Sequence, residues 1–109
     1  MSFEVKTIQV FERQAKRLIK KYPSLRTEIV ELVKQLKQKP ESGTPIGSRC
    51  FKIRLSIASK GKGKSGGARI ITTFVVSNAT VYLLSIYDKS EQDSISNQEL
   101  RELLQYLPD

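Results

Sequence analysis

The spacing of apolar residues changes period partway along this chain, and that change restricts the fold more than any other feature. From Ile8 to Leu36 the apolar residues recur every three to four positions. From Arg49 to Tyr87 they alternate with polar ones, as residues on the two faces of a strand do. A run of helix followed by a run of strands reads as an α+β domain.

The elements follow from that pattern. Phe3, Val5 and Ile8 alternate with Glu4, Lys6 and Thr7, which predicts a short first strand. Ile8, Phe11, Ala15, Leu18, Ile19 and Tyr22 then form a helical stripe, with Glu12, Arg13, Lys16, Arg17, Lys20 and Lys21 on the remaining faces. Pro23 ends this basic helix. Ser24 is placed to cap a second one, whose stripe is Leu25, Ile29, Leu32, Val33 and Leu36 and which Pro40 stops. The two helices are expected to form an antiparallel hairpin, and 41–47 reads as a loop.

Beyond the loop, Phe51, Ile53, Leu55 and Ile57 oppose Cys50, Lys52, Arg54 and Ser56. In the next run Ile70, Thr72, Phe74 and Val76 oppose Arg69, Ile71, Thr73 and Val75. In the last, Tyr82, Leu84 and Ile86 oppose Val81, Leu83, Ser85 and Tyr87. Short connections make these three runs an antiparallel meander. Ser96-Asn97-Gln98-Glu99 fits a capping box, flanked by Ile95 and Leu100 as a hydrophobic staple, so a final helix begins there. Its Leu100, Leu103, Leu104 and Leu107 need cover, for which the domain's own sheet is the nearest surface. The whole is expected to be one domain, 1–109: a strand and a helix hairpin packed on a small antiparallel sheet, with a C-terminal helix.

Charge is distributed unevenly over these elements. Residues 42–87 contain no Asp or Glu but carry Arg49, Lys52, Arg54, Lys60, Lys62, Lys64 and Arg69, whereas the tail from Asp88 onward has a net charge of −4. A basic sheet surface attracts phosphate polyanions through counterion release, which makes nucleic acid the partner class to expect. The acidic tail reads as a solvated helix face or as a partial screen for that surface. One cysteine, Cys50, excludes an internal disulfide and reads as a small packed residue. The absence of histidine removes the commonest metal ligand and the commonest acid–base group at neutral pH. A reducing, cytoplasmic setting is expected. No stretch of about 20 apolar residues and no apolar leader is present, so neither a membrane span nor classical export is expected.

Gly63-Lys64-Ser65 resembles the end of a phosphate-binding loop, but the first glycine of that motif falls at Ala58, and the segment joins two strands instead of leading into a helix. The glycine–lysine run reads instead as an arm whose Lys60, Lys62 and Lys64 can reach an RNA backbone. Lys52 and Arg54, two apart on a strand, share a face, and Arg69 and Tyr87 share it if the register allows. Such a cluster holds a phosphate and offsets charge developing on its oxygens, and crowding by cations pushes a lysine ammonium below its usual value of about 10.4. Tyr87 is positioned to stack on a base or orient a ribose.

The order of elements resembles that of the RelE/ParE superfamily of bacterial toxins, most closely its RelE- and HigB-like branch. The resemblance rests on Phe51-Lys52-Ile53-Arg54-Leu55, the glycine–lysine run ending at Arg69, and the segment Val81 to Lys89. It implies a cytoplasmic toxin of a toxin–antitoxin pair, an endoribonuclease that cleaves mRNA on the ribosome without metal or cofactor. It also implies a cognate antitoxin, with the toxin monomeric inside a hetero-oligomeric complex. Carried over by position, Lys52 and Arg54 take base and phosphate-binding roles, and Arg69 contacts the scissile phosphate. Tyr87 and Lys89 supply an aromatic and a basic group beside it. Several relatives place an arginine in the last core strand as general acid; Thr80–Tyr87 contains none, and Lys89 is the nearby replacement. ParE-like members of the fold instead inhibit DNA gyrase without cleaving RNA, which is the alternative expectation.

Overall fold

A computed structural model describes residues 2–61 and 66–108. The elements are β1 (Glu4–Thr7), α1 (Gln9–Lys21), α2 (Leu25–Gln38), β2 (Thr44–Gly47), β3 (Cys50–Leu55), β4 (Ala68–Val75), β5 (Thr80–Asp88) and α3 (Asn97–Leu104). The α+β class, the helix pair, the meander and the C-terminal helix agree with the sequence pattern. The sheet has order β1-β5-β4-β3-β2, and β1 runs parallel to β5 while every other pair is antiparallel.

The segment expected to be a loop contributes the edge strand β2. Proline is tolerated there because an edge strand has no neighbour to receive its missing N–H. Gly43, at φ +103°, lets the chain come close against β3; a Cβ at that position would lie 2.7 Å from the Lys52 carbonyl oxygen and 2.8 Å from Ile53 Cγ1. Ser48 and Arg49, both at positive φ, close the β2–β3 hairpin in two residues, since two left-handed residues match the twist of the flanking strands.

A bulge breaks the expected alternation in β5. Ile71 pairs with Ser85 but Thr72 with Leu83, which leaves Leu84 as an extra residue. Tyr82 therefore lies opposite Thr73 while Ile86 lies opposite Ile70, so these two do not share a face as simple alternation predicts.

All nine residues of β5 are buried, because it has neighbours on both edges and cover on both faces. The two covers can be told apart at its end. Asp88 accepts a hydrogen bond from Tyr22, just past α1, whereas the preceding Tyr87 lies in the field of Glu99 on α3. On the helix-pair side Leu18, Leu25 and Leu36 have no exposed surface; on the other, Leu100 and Leu103 are buried. The capping box forms as read: the Glu99 N–H donates to Ser96 Oγ at 3.1 Å, and the Ser96 N–H donates back to Glu99 Oε1 at 3.3 Å. Ser24 differs. Its hydroxyl oxygen accepts the Ser59 N–H at 2.9 Å and gives no bond to its own helix's N–H groups, because the short turn Ala58–Lys60 after β3 supplies a nearer donor.

Candidate functional site

The sequence leaves the register of the basic strands open, and the structure fixes it. Arg54 pairs with Arg69, and Arg69 with Tyr87, so these three form one row across β3, β4 and β5. Lys52 stands two residues from Arg54 and begins the next row, Lys52-Ile71-Ser85. Directly paired residues project to the same side, so Lys52, Arg54, Arg69 and Tyr87 share the face that α3 covers further along.

Depth differs sharply within the row. Arg54 is exposed and Lys52 half-buried, but Arg69 and Tyr87 are each only 4% exposed. The expected open basic surface is therefore a graded one, with two cations at the rim and one beneath. Arg69 Nη1 donates to the Ala68 carbonyl at 3.2 Å. The Tyr87 hydroxyl is buried with no hydrogen-bond partner among the described residues. Burial pushes this phenol above its ordinary range; the Arg69 cation pulls it back, and Asp93 and Glu99 reinforce the rise. It stays protonated at neutral pH and can donate a hydrogen bond, but a ring so deep offers no face to a base. Its position suits bracing Arg69 better than stacking.

The acidic tail crosses beside this row. The Lys89 ammonium is paired with the Asp93 carboxylate and also donates to the Asp93 carbonyl at 2.9 Å. Hydrogen bonding from Lys89, its charge and the weaker field of Lys52 hold the Asp93 carboxyl below its usual range. Farther along α1, Arg17 at 2.9 Å and Lys21 at 3.3 Å hold Glu91, whose carboxyl is lowered first by the Arg17 hydrogen bond. The segment after β5 is thus tied on one side to α1 and on the other to Lys89, and it brings negative charge next to the basic row.

Lys60 does not occupy the place expected of a swinging arm. Its side chain is 9% exposed, and its ammonium is paired with the fully buried carboxylate of Asp88. Lys62 and Lys64, and with them the Gly63-Lys64-Ser65 motif, lie outside the described residues. Sequence reasoning passed over Asp88 as one more acid of the tail. The signal available was its position as the only carboxylate in a strand otherwise made of apolar and hydroxyl residues. Cys50 is buried, its thiol 3.5 Å from the Ser48 carbonyl and pushed up by burial, with Thr73 pulling slightly back; it is a packed residue.

An open cleft of about 950 Å³ runs from Lys52 and Arg54 toward α2, lined also by Glu28, Glu31, Lys34 and Gln35. Its two sides are of opposite sign, so a bound polyanion is held on the β3 side and repelled from the Glu28–Glu31 side.

Solved structures share this fold. A double arginine-to-alanine mutant of the Escherichia coli toxin RelE in the free state superposes with a TM-score of 0.62 at 14% identity, over 99% of this chain and 100% of that one. The RelBE2 toxin–antitoxin complex of Mycobacterium tuberculosis gives 0.60 at 17% identity, over 81% and 99%. The isolated E. coli RelE toxin gives 0.57 at 16% identity, over 97% and 100%. At such identities these likenesses establish the fold. A family model describing the RelE toxin of the RelE/RelB toxin–antitoxin system matches residues 5–107, and with nearly the whole sequence so matched the chain belongs to the RelE toxin family.

Proposed function

We propose that this protein is a ribosome-dependent endoribonuclease that cleaves mRNA and is silenced by a cognate antitoxin. The observation that carries the reading is the single row Arg54-Arg69-Tyr87, with Lys52 beside it and Lys89 two residues beyond. In this reading Lys52 accepts the proton of a ribose 2′-hydroxyl, whose oxygen attacks the adjacent 3′-phosphate. The new O2′–P bond forms as the P–O5′ bond breaks, giving a cyclic phosphate and a 5′-hydroxyl. Arg54 at the rim holds the phosphate, Arg69 beneath it offsets the charge that grows on the phosphoryl oxygens, and Lys89 returns a proton to the leaving O5′. Lys89 must first release Asp93. That exchange is easy, because the carboxylate it leaves is on the surface, where such a pair is worth at most about 1 kcal/mol.

The antitoxin follows from the family, and the complex of the M. tuberculosis relative shows such a partner in that protein. An acidic segment laid over Lys52 and Arg54 matches the charge of this face, with one toxin molecule per site in the assembled complex. The test is to induce the protein in bacteria and map 5′-hydroxyl mRNA ends, beside an Arg54→Ala form, whose exposed side chain carries no structural load. Codon-phased cuts with the unaltered protein, sharply reduced in the variant, are expected. Growth arrest without cuts would overturn the nuclease reading and direct attention to a protein target such as DNA gyrase.

A further inference from the structure

Lys60, Tyr22 and Ser90 gather around the buried carboxylate of Asp88 on the sheet face away from the basic row, and the proposed chemistry uses none of them. Asp88 Oδ1 accepts from the Lys60 ammonium, from the Ser90 N–H at 2.9 Å and from the Ser90 hydroxyl at 2.7 Å. Its Oδ2 accepts from the Tyr22 hydroxyl at 2.8 Å. Lys60 also donates to Ser90 Oγ at 2.9 Å and lies 5.4 Å above the centre of the Tyr22 ring. The turn that carries Lys60 is fastened from behind: the Ala58 N–H donates to Glu28 Oε2 at 2.7 Å, and the Ser59 N–H to Ser24 Oγ at 2.9 Å. Three segments distant in sequence therefore meet at one carboxylate.

The neighbours of this carboxylate, along the chain and across the ladder, are residues of the proposed site. Asp88 lies between Tyr87 and Lys89 in sequence and pairs with Ala68, the neighbour of Arg69; the Lys89 N–H closes the ladder by donating to the Gly67 carbonyl at 3.0 Å. We infer that Lys60 and Asp88 are positioning residues, a clasp that fixes the ends of β4 and β5 so that Arg69, Tyr87 and Lys89 keep their places, and that Lys60 makes no contact with RNA. The reason is geometric. An ammonium sequestered against a buried carboxylate cannot also neutralise a phosphate, and a ladder end without such a fastening frays. A displacement of even 1 Å at cations that must meet a transition state lowers rates about 100-fold.

The clasp rests on the nuclease reading for its catalytic consequence but not for its existence, so the test has two independent readouts. In Lys60→Met, amide hydrogen exchange at Lys89, Ser90 and Glu91 should rise tenfold or more while α2 stays protected. Unchanged exchange at those three amides would overturn the clasp, whatever the protein's activity. On programmed ribosomes, the same variant should lose tenfold or more in kcat while the slope of log affinity against log salt stays that of the unaltered protein. A slope shallower by about 0.7 to 0.9, the signature of one lost phosphate contact, would instead make Lys60 an RNA ligand. Full kcat in a folded variant would likewise overturn the positioning role. If Lys60→Met alone does not fold, the double variant with Asp88→Asn removes the unpaired charge and takes its place in both measurements. Absence of cleavage by the unaltered protein would count against the nuclease reading alone, since the exchange data stand without it.

Discussion

Replacing Asp88 with asparagine keeps the shape of the side chain and removes the charge on which four hydrogen bonds converge. Asparagine can still accept from Tyr22 or Ser90, so the loss is concentrated in Lys60, whose ammonium then sits in a 9%-exposed position without a countercharge. Removing one partner of a buried pair typically destabilises by about 3 to 5 kcal/mol. Lys60 stands on a surface turn and its long stem can swing toward water, which points to the lower figure, about 3 kcal/mol. At about 4 °C per kcal/mol for a domain of this size, Tm should fall by about 12 °C. Adding Lys60→Met should recover most of that loss, because a well-packed apolar replacement of a buried pair is often neutral; the coupling between the two sites should be about 2 kcal/mol.

A pH arm checks the sign. Burial alone would raise the Asp88 carboxyl, but the bonds from Lys60, Ser90 and Tyr22 overcome it and hold the group well below its ordinary range. A folded-state value depressed below the unfolded one contributes stability that is fully present above the unfolded value of about 3.9 and is lost as pH falls toward the folded value. Thermal melts followed by circular dichroism from pH 7 to pH 2 should therefore show the unaltered protein losing stability below about pH 4 more steeply than Asp88→Asn. A fall in Tm of under about 3 °C at neutral pH, with parallel acid profiles, would mean that water screens the pair and would refute the reasoning.

Three further outcomes follow from the fold. Gly43→Ala combines a φ of +103° with a Cβ 2.7 Å from the Lys52 carbonyl, and should cost about 2 kcal/mol in urea unfolding, with reduced cleavage because β3 must shift under Lys52. Ser96→Ala removes the cap of α3 and should lower stability by about 1 kcal/mol, which a neutral result in the same assay would contradict. Cys50 should resist a thiol reagent at pH 8 until urea unfolds the domain, because its thiol is buried and its ionisation is disfavoured there.

Most of the architecture is legible in the sequence because it rests on local rules. The α1 and α2 stripes, the Pro23 and Pro40 stops and the Ser96–Glu99 box each lie within a few residues, and each forms as its pattern dictates. What the sequence conceals depends on distant partners. Thr44–Gly47 carries the Pro and Gly residues of a loop, and only the neighbouring β3 makes it a strand. The β5 bulge has no composition of its own; Leu84 becomes the extra residue only through the ladder with β4. For the site, residue types pick out Lys52, Arg54, Arg69 and Tyr87, and the register unites them. Their depth is not visible in the sequence, because it depends on which distant elements come to pack against the row. The pairing of Lys60 is concealed for the same reason: among glycines and other lysines it has the look of a solvated arm, and its countercharge is 28 residues away.

That difference in depth separates the roles of the two arginines in the proposed reaction. Arg54, open to water, meets the polyanion in a high-dielectric, salt-screened setting, where a cation contributes mainly to attraction and affinity. Arg69 lies beneath the rim, where its position is fixed before substrate arrives and little water needs to reorganise as charge grows on the phosphate; such a preorganised group acts on the transition state. The two substitutions should therefore divide cleanly. Arg54→Ala should weaken ribosome and RNA binding and flatten the salt dependence by about one phosphate contact, leaving most of kcat in place at saturation. Arg69→Lys, which keeps a cation but loses the planar fork, should lower kcat by about 100-fold or more with KM and the salt slope nearly unchanged. Equal effects of both on affinity alone would mean that depth makes no difference and that the row is a uniform phosphate-binding surface.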